Sequence, residues 1–353
     1  MTYKILVINP GSTTTRVSLF EDEKQVHSKK IDHSIEELSK FQNTMDQYEM
    51  RRQAVSDFLI DNQIEEKKLS AVVGRGGILQ TILPGAYEVN EKMLKELKEN
   101  PHMEHASNLG AWIASGIAKP LGIPAYIYDS PRSDVLSDIA RISGLANLPR
   151  SATSHVLNSR AMAMRVAGKI GKNYDEVNLI VVHLGGGISM SIHEKGRIVD
   201  ILSDDEGAFS PECSGKLPSR KLIQLCYSGI YKEEEMLRLL RGNGGLKSYL
   251  NTIDLREVEA QINEGNEKAS FILKAMGYQI AKGIGELATV VSGEVDGIVL
   301  TGGMANSKVL TRMIQDRVTF IAPVTVFPGE LEMEALANGA LRILKGIEAV
   351  QIF

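Results

Sequence analysis

The chain has 353 residues, 40 basic and 44 acidic, and is 43% hydrophobic and 5% aromatic, with 32 glycines, 11 prolines and 2 cysteines. This is the composition of a folded chain of about two domains, at roughly 100–200 residues each, and the formal charge of −4 excludes a basic nucleic-acid footprint. So few aromatics exclude a base-stacking platform or a membrane belt, and Cys213 and Cys226 make neither a disulfide framework nor a CxxC metal site, the pattern of a reducing, cytoplasmic home.

From the amino terminus, MTYKILVINPGS carries a short apolar run that stops at Asn-Pro-Gly, too short for a signal peptide, and predicts a strand over 4–8. Further strands are expected at 71–73, 124–128, 178–183, 296–300 and 323–327. Helical periods fill the intervals at about 46–62, 107–119, 155–168, 268–292, 307–317 and 332–346. In the longest, Met276, Ile280, Ile284, Leu287 and Val291 recur at three- and four-residue spacing and mark a buried face. Such alternation belongs to an α/β class. The three glutamates from Glu233 to Glu235 read as a solvated helix face, and Cys226 as ordinary helix filling. Charged residues or glycine interrupt every apolar run before about eighteen residues, so no membrane partner is expected.

One internal comparison bears on architecture. KILVINPGSTTTRVSLF from residue 4 and NLIVVHLGGGISMSIHE from residue 178 each give an apolar strand, a small-residue turn, an alternating strand and a charged hairpin tip. Gly11 and Gly185 fall at the same place in the two copies. Two such units, each opening half of the chain, predict a duplicated domain with a cleft between the halves.

The turns themselves suggest what that cleft holds. Gly11, Ser12 and Thr13 in the first, and Gly185, Gly186 and Gly187 in the second, expose backbone N–H groups without bulky side chains, which is an anion nest. Phosphate is the expected guest. A third pair, Gly302 and Gly303, follows the strand DGIVL and precedes Asn306-Ser307, a helix N-cap that favours anions. No GxxxxGK[ST] loop and no HRD or DFG motif occurs. GxGxxA at Gly283 to Ala288 sits inside the long helix and reads as close packing.

The paired hairpins and the Gly-Gly after DGIVL resemble the sugar kinase, Hsp70 and actin superfamily. Within it, ILVINPGSTTTR, VVGRGG, EHASNLG, ARISGLANLPR, LIVVHLGGGIS, EGAFSPECSG, SYLNTIDLRE and IVLTGGMANS, in that order over nearly the whole chain, resemble the acetate and butyrate kinase family, closest to its butyrate branch. VGRGG, EHASNLG and FSPECSG are the most particular. The resemblance implies two duplicated ribonuclease H-like domains. Residues 1–150 would be the acyl-substrate domain, joined by the returning helix 331–353, and 151–330 the nucleotide-binding domain. It also implies reversible, ATP- and Mg²⁺-dependent phosphorylation of a short fatty acid to its acyl phosphate, with ADP as co-product, in a homodimer or higher homo-oligomer.

The chemistry agrees. A carboxylic acid is ionised at neutral pH, so a kinase acting on it needs no general base, and Asn9 stands where an acid would activate a hydroxyl or water. Arg75 is the expected clamp on the carboxylate or the transferring phosphoryl, because its planar fork matches either. Asp129 is similar to the family's metal-positioning carboxylate, and Glu332 or Glu330 to its second acid. His105 and His155, near helix starts, would donate to substrate oxygens, and His183 would line the phosphate site with Arg16. Asp254, Leu255 and Arg256, with Gly302, Gly303 and Asn306, match the adenine and ribose pocket.

Two departures stand out. Cys213 replaces an arginine of the family pattern in FSPECSG, a loss of order 10²- to 10³-fold in rate by analogy with oxyanion donors. Arg132, in the divergent stretch YDSPRSDV, is the expected replacement. Ser151 replaces a histidine of the acetate branch. The second functional reading is therefore a weakened paralogue that binds nucleotide or acyl phosphate as a regulator.

Overall fold

Ile5, Leu6, Val7 and Ile8 are wholly buried, as a continuous apolar run must be when its strand is covered on both faces. The computed structural model that shows this describes residues 2–79, 82–99, 105–131, 133–151 and 154–353. Its strands are β1 (Lys4–Pro10), β2 (Thr14–Glu21), β3 (Lys24–Asp32), β4 (Ala71–Arg75), β5 (Ala86–Glu88) and β6 (Ala125–Tyr128). Then follow β7 (Asn178–Leu184), β8 (Ile188–Glu194), β9 (Arg197–Leu202), β10 (Gly297–Gly302), β11 (Val324–Pro328) and β12 (Gln351–Ile352). The chain divides into two units, Met1–Asp134 with Leu331–Phe353, and Val135–Glu330.

The first unit holds a sheet of order β12-β5-β6-β4-β1-β2-β3, and the second a sheet of order β11-β10-β7-β8-β9. Each has an antiparallel three-strand meander (β1 to β3; β7 to β9) flanked by two parallel strands (β4 and β6; β10 and β11). Even the irregularities repeat: the ladder slips between Leu19 and Phe20 in one meander and between Ile192 and His193 in the other. The internal duplication read from the sequence is thus a duplication of sheet topology.

In the first unit, Leu6, Ile8 and Val17 of the sheet bury against Val55, Phe58 and Leu59 of the helix Tyr48–Asp61 and Leu109 and Ile113 of the helix Asn108–Leu121. Each such side chain contributes roughly 1.5–3 kcal/mol on leaving water. In the second, the helix Glu267–Ala288 lays Leu273, Met276, Ile280, Ile284 and Leu287 on the sheet, capped by Asn266, whose side chain accepts from the Ala269 N–H. Its α-helical hydrogen bonding ends before the predicted 292: the β-branched run Thr289–Val291 tightens to a 3₁₀ turn, and Ser292 turns left-handed at φ +55°. Gly283 lies in this helix, where an added Cβ would come within 2.7 Å of Met190 Sδ, so its glycine serves packing.

Two further helices, Ser219–Cys226 and Glu233–Leu240, add to the helical periods read from the sequence. Cys226 is the last residue of the first of these helices, as expected of an ordinary helix residue, and is exposed there. Glu233 to Glu235 are exposed, as expected. Among the described residues, no helix is long and apolar enough to cross a membrane.

Candidate active site

In the first unit β1, β4 and β6 run parallel, so their carboxyl ends share one edge of the sheet, where open α/β sheets receive ligands. Asn9, Arg75 and Asp129 stand at those ends. Asn9 is buried; its Nδ2 donates to Glu332 Oε2 at 2.7 Å, and its Oδ1 accepts from Arg75 Nη1 at 3.4 Å. Arg75 Nη1 also lies 3.2 Å from each carboxylate oxygen of Glu332. Glu332 opens the helix Glu332–Leu344, a position where the helix dipole favours a negative charge.

Glycines set the place of Arg75. A Cβ on Gly74 would fall 2.3 Å from Gly110 O, and one on Gly110 2.4 Å from Arg75 O. The helix Asn108–Leu121 therefore lies backbone to backbone on β4, which is why VGRGG and EHASNLG both need glycine there. Asn108 Oδ1 accepts from the Ile78 N–H at 2.7 Å, and Ser130 Oγ donates to Gly77 O at 2.6 Å, fixing the loop that follows Arg75.

Asp129 is 2% exposed and left-handed at φ +44°, with Oδ1 accepting from the Gly85 N–H at 2.8 Å. Such a conformation in a non-glycine residue is costly, and it clusters at functional sites. His105 precedes the helix Asn108–Leu121, and its Nδ1 accepts from the Ser107 N–H at 3.1 Å, which leaves the proton of a neutral ring on Nε2. The turn after β1 is closed by Gly11 N donating to Thr14 O at 2.8 Å, with Ser12, Thr13 and Arg16 exposed. Arg132 lies outside the described residues, and Ser151 is exposed.

In the second unit His183, near the end of β7, stacks on His155, which caps the helix Val156–Lys169; the ring centroids are 3.8 Å apart and the planes 11° from parallel. Asn158 Nδ2 donates to His183 Nδ1 at 3.0 Å, and His183 Nε2 faces Glu330 Oε1 at 3.4 Å. His155 Nδ1 meets Ser189 Oγ at 2.9 Å. The two acids that the sequence left interchangeable thus have different neighbours: Glu330 faces His183, and Glu332 holds Asn9 and Arg75.

The turn Gly185–Gly187 is tied down by Ser210 Oγ, which donates to Gly186 O at 2.6 Å. Cys213 Sγ lies 3.6 Å from Asp204 Oδ2, and burial pushes its thiol up to about 11. Arg241, which sequence reasoning missed, pairs with Cys213 in an isolated β-bridge and brings Nη1 to 3.6 Å from the same carboxylate oxygen. Asp204 Oδ2 is itself 3.5 Å from where a Cβ on Gly187 would stand. An isolated bridge thus sets the Arg241 guanidinium beside Asp204, the carboxylate next to the second turn, a relation that no local motif encodes.

Gly302 is left-handed at φ +90°, and a Cβ there would meet Leu184 O at 2.4 Å. Asn306 Nδ2 donates to Gly303 O at 2.9 Å, and Ser307 caps the helix Lys308–Val318. Ser307 Oγ also donates to Glu259 of the helix Leu255–Asn263, whose N-cap is Asp254. The two segments expected to hold the nucleoside are thereby joined. Arg256 forks onto Asp254 through hydrogen bonds and charge, pulling that carboxyl down to about 2, while Leu255 is buried beneath.

Among the described residues no three His, Cys, Asp or Glu side chains converge on one metal position. Asp129 and Glu332 supply hard oxygen donors of the kind that share a magnesium ion with phosphate and water.

The Acetokinase family model matches residues 142–323. The chain is 47% identical to butyrate kinase 1 of Clostridium acetobutylicum over 348 residues, 98% of each chain. It is also 47% identical to a probable butyrate kinase 2 of Caldanaerobacter subterraneus subsp. tengcongensis over 352 residues, 99% of each. In fold it matches the crystal structure of Porphyromonas gingivalis acetate kinase with a TM-score of 0.80 at 18% identity, covering 97% of this chain and 100% of the other. These matches carry the sheet duplication and the glycine-rich strand ends into one conclusion: the chain belongs to the acetokinase family.

Proposed function

We infer that the protein is a carboxylate kinase. It transfers the γ-phosphoryl of ATP in line to the carboxylate of a short-chain fatty acid, butyrate or a branched acid, giving ADP and an acyl phosphate, reversibly. Family membership and the butyrate kinases at 47% identity support the reaction class. One observation carries the kind of acceptor. At the end of β1 the chain places an amide, Asn9, and the nearby acid Glu332 is occupied in accepting from Asn9 and Arg75. Engaged in this way, Glu332 orients Arg75 and is not offered as a proton acceptor. Such a site suits a nucleophile that arrives deprotonated.

Arg75 clamps the carboxylate and the phosphoryl passing to it, and His105 and His155 donate to their oxygens. Gly11, Ser12, Thr13 and Arg16 are one phosphate-binding turn, and Gly185, Gly186 and Gly187 with His183 are another. Asp254, Leu255 and Arg256, with Gly302, Gly303 and Asn306, form the nucleoside pocket. Asp129 and Glu332 hold a magnesium ion that comes with ATP and offsets phosphate charge when bound. Arg241 is the cation beside the second turn, where Cys213 carries no charge. The enzyme works in the cytoplasm as a homo-oligomer. No observation favours the regulatory reading over this one.

The test is a panel of acetate, propionate, butyrate, isobutyrate and isovalerate with ATP and Mg²⁺, with acyl phosphate trapped by hydroxylamine. Acyl hydroxamate should form, most with the four- and five-carbon acids; its absence with every acid removes the reading.

A further inference from the structure

Beneath the first glycine-rich turn lies a fully buried arginine. Arg51, on the helix Tyr48–Asp61, donates through Nη1 to Gly11 O at 3.0 Å, Thr14 O at 2.8 Å and Thr15 Oγ1 at 3.0 Å, and through Nη2 to Ser12 O at 3.0 Å. Its Nε and Nη2 both donate to Gln47 Oε1, at 3.0 and 2.9 Å. Each acceptor is a neutral oxygen. Two partly buried arginines, by contrast, are matched by acids: Arg150 by Asp200 and Glu206, and Arg342 by Glu348. Burial draws the Arg51 guanidinium down to about 10, still charged at neutral pH, and the acid it senses is Glu37, which reaches Thr15 only through His33.

The carbonyl geometry has a directional consequence. In a trans peptide the N–H points opposite to the C=O. With the Gly11 and Ser12 carbonyls turned down onto Arg51, the N–H groups of Ser12 and Thr13 point away from it, at residues that are exposed. The Thr13 carbonyl is itself taken by the His33 N–H at 2.8 Å. The outer surface of the turn is left with donors.

We propose that Arg51 is a positioning residue for nucleotide phosphate: it turns the carbonyls of Gly11, Ser12 and Thr14 inward, and its uncompensated charge adds to the field at the turn. This rests on the reading of that turn as a phosphate site. A residue that only filled the core would be served as well by a paired guanidinium, and an ordered turn that bound no anion would need no buried charge.

Gln47→Glu separates the two, because it keeps both acceptor contacts to Arg51 while supplying the missing carboxylate. Calorimetric titration of wild type, Gln47→Glu and Arg51→Lys with ADP, ATP and adenosine, alongside thermal melting, tests the proposal. Wild type should bind all three. Gln47→Glu should melt at the same temperature or higher, bind ADP and ATP about tenfold more weakly, and bind adenosine as wild type does. Arg51→Lys keeps the charge but loses the planar fan, and should also lose affinity for the two nucleotides and not for adenosine. Either variant, folded and binding ADP as wild type does, overturns the proposal, and should one fail to fold the other decides. A wild type that binds ADP no better than adenosine shows instead that the turn is not a phosphate site, and the inference falls with that reading.

Discussion

Asn9 Nδ2 donates to Glu332 Oε2 at 2.7 Å across 323 positions of sequence. The contact sets the end of β1 against the first turn of the last long helix and leaves the Asn9 carbonyl facing Arg75. Asn9→Asp removes the donor and sets two carboxylates side by side, so Arg75 is drawn between competing acids. We expect kcat/KM for the fatty acid to fall at least tenfold, with the KM for ATP little changed, in steady-state kinetics at fixed saturating nucleotide.

Gly110 is a packing requirement. Gly110→Ala sets a methyl 2.4 Å from Arg75 O, where no rotamer relieves it. A loss of ~2–4 kcal/mol is expected from urea unfolding, with lower activity because Arg75 shifts with its strand. Gly144→Ala is the control, since nothing lies within 4 Å of the added carbon; it should stay within about 0.5 kcal/mol of wild type.

His193 makes stability depend on pH. Burial, and then the charge of Arg160, drives its imidazole down to about 3 from an ordinary 6.5, while Tyr174 and Ser191 occupy its two nitrogens. Between those values the unfolded chain binds a proton that the native state refuses, so stability is full above about 6.5 and declines as pH falls toward 3. The slope approaches ~1.4 kcal/mol per pH unit. His33, also lowered by burial, acts in the same direction. Urea midpoints from pH 7 to 4 should drop less steeply in His193→Gln than in wild type; parallel curves would dismiss the linkage.

Arg241 carries a prediction that the sequence did not suggest. If it is the cation at the second turn, Arg241→Gln lowers kcat on the order of tenfold to a hundredfold, and Cys213→Arg added to that variant restores part of the loss. Cys213→Arg alone gains little, because Asp204 already has a guanidinium beside it. A large gain from the single substitution would show that Arg241 does not stand in.

The repeating parts of the fold were legible from sequence because each rests on a local signal. The apolar runs of β1, β7 and β10 and the 3.6-residue period of Glu267–Ala288 each specify their own element. Glycine-rich strand ends could be located but not explained. The reason for Gly74 is Gly110, and the reason for Gly302 is the Leu184 carbonyl, partners that only the folded chain brings close. The distinction between Glu330 and Glu332 was illegible for the same reason, since their neighbours come from distant strands. Arg51 and Arg241 were passed over because an arginine within a helix or at its end carries no local mark of what its guanidinium will meet.

The most direct measurement of the central claim is phosphorus NMR of the purified protein with ATP, Mg²⁺ and butyrate. The account expects the γ-phosphoryl of ATP to reappear in an acyl phosphate resonance as ADP accumulates, and that resonance to vanish on adding hydroxylamine. ADP formed with inorganic phosphate alone, or no consumption of ATP with any short acid, would contradict it.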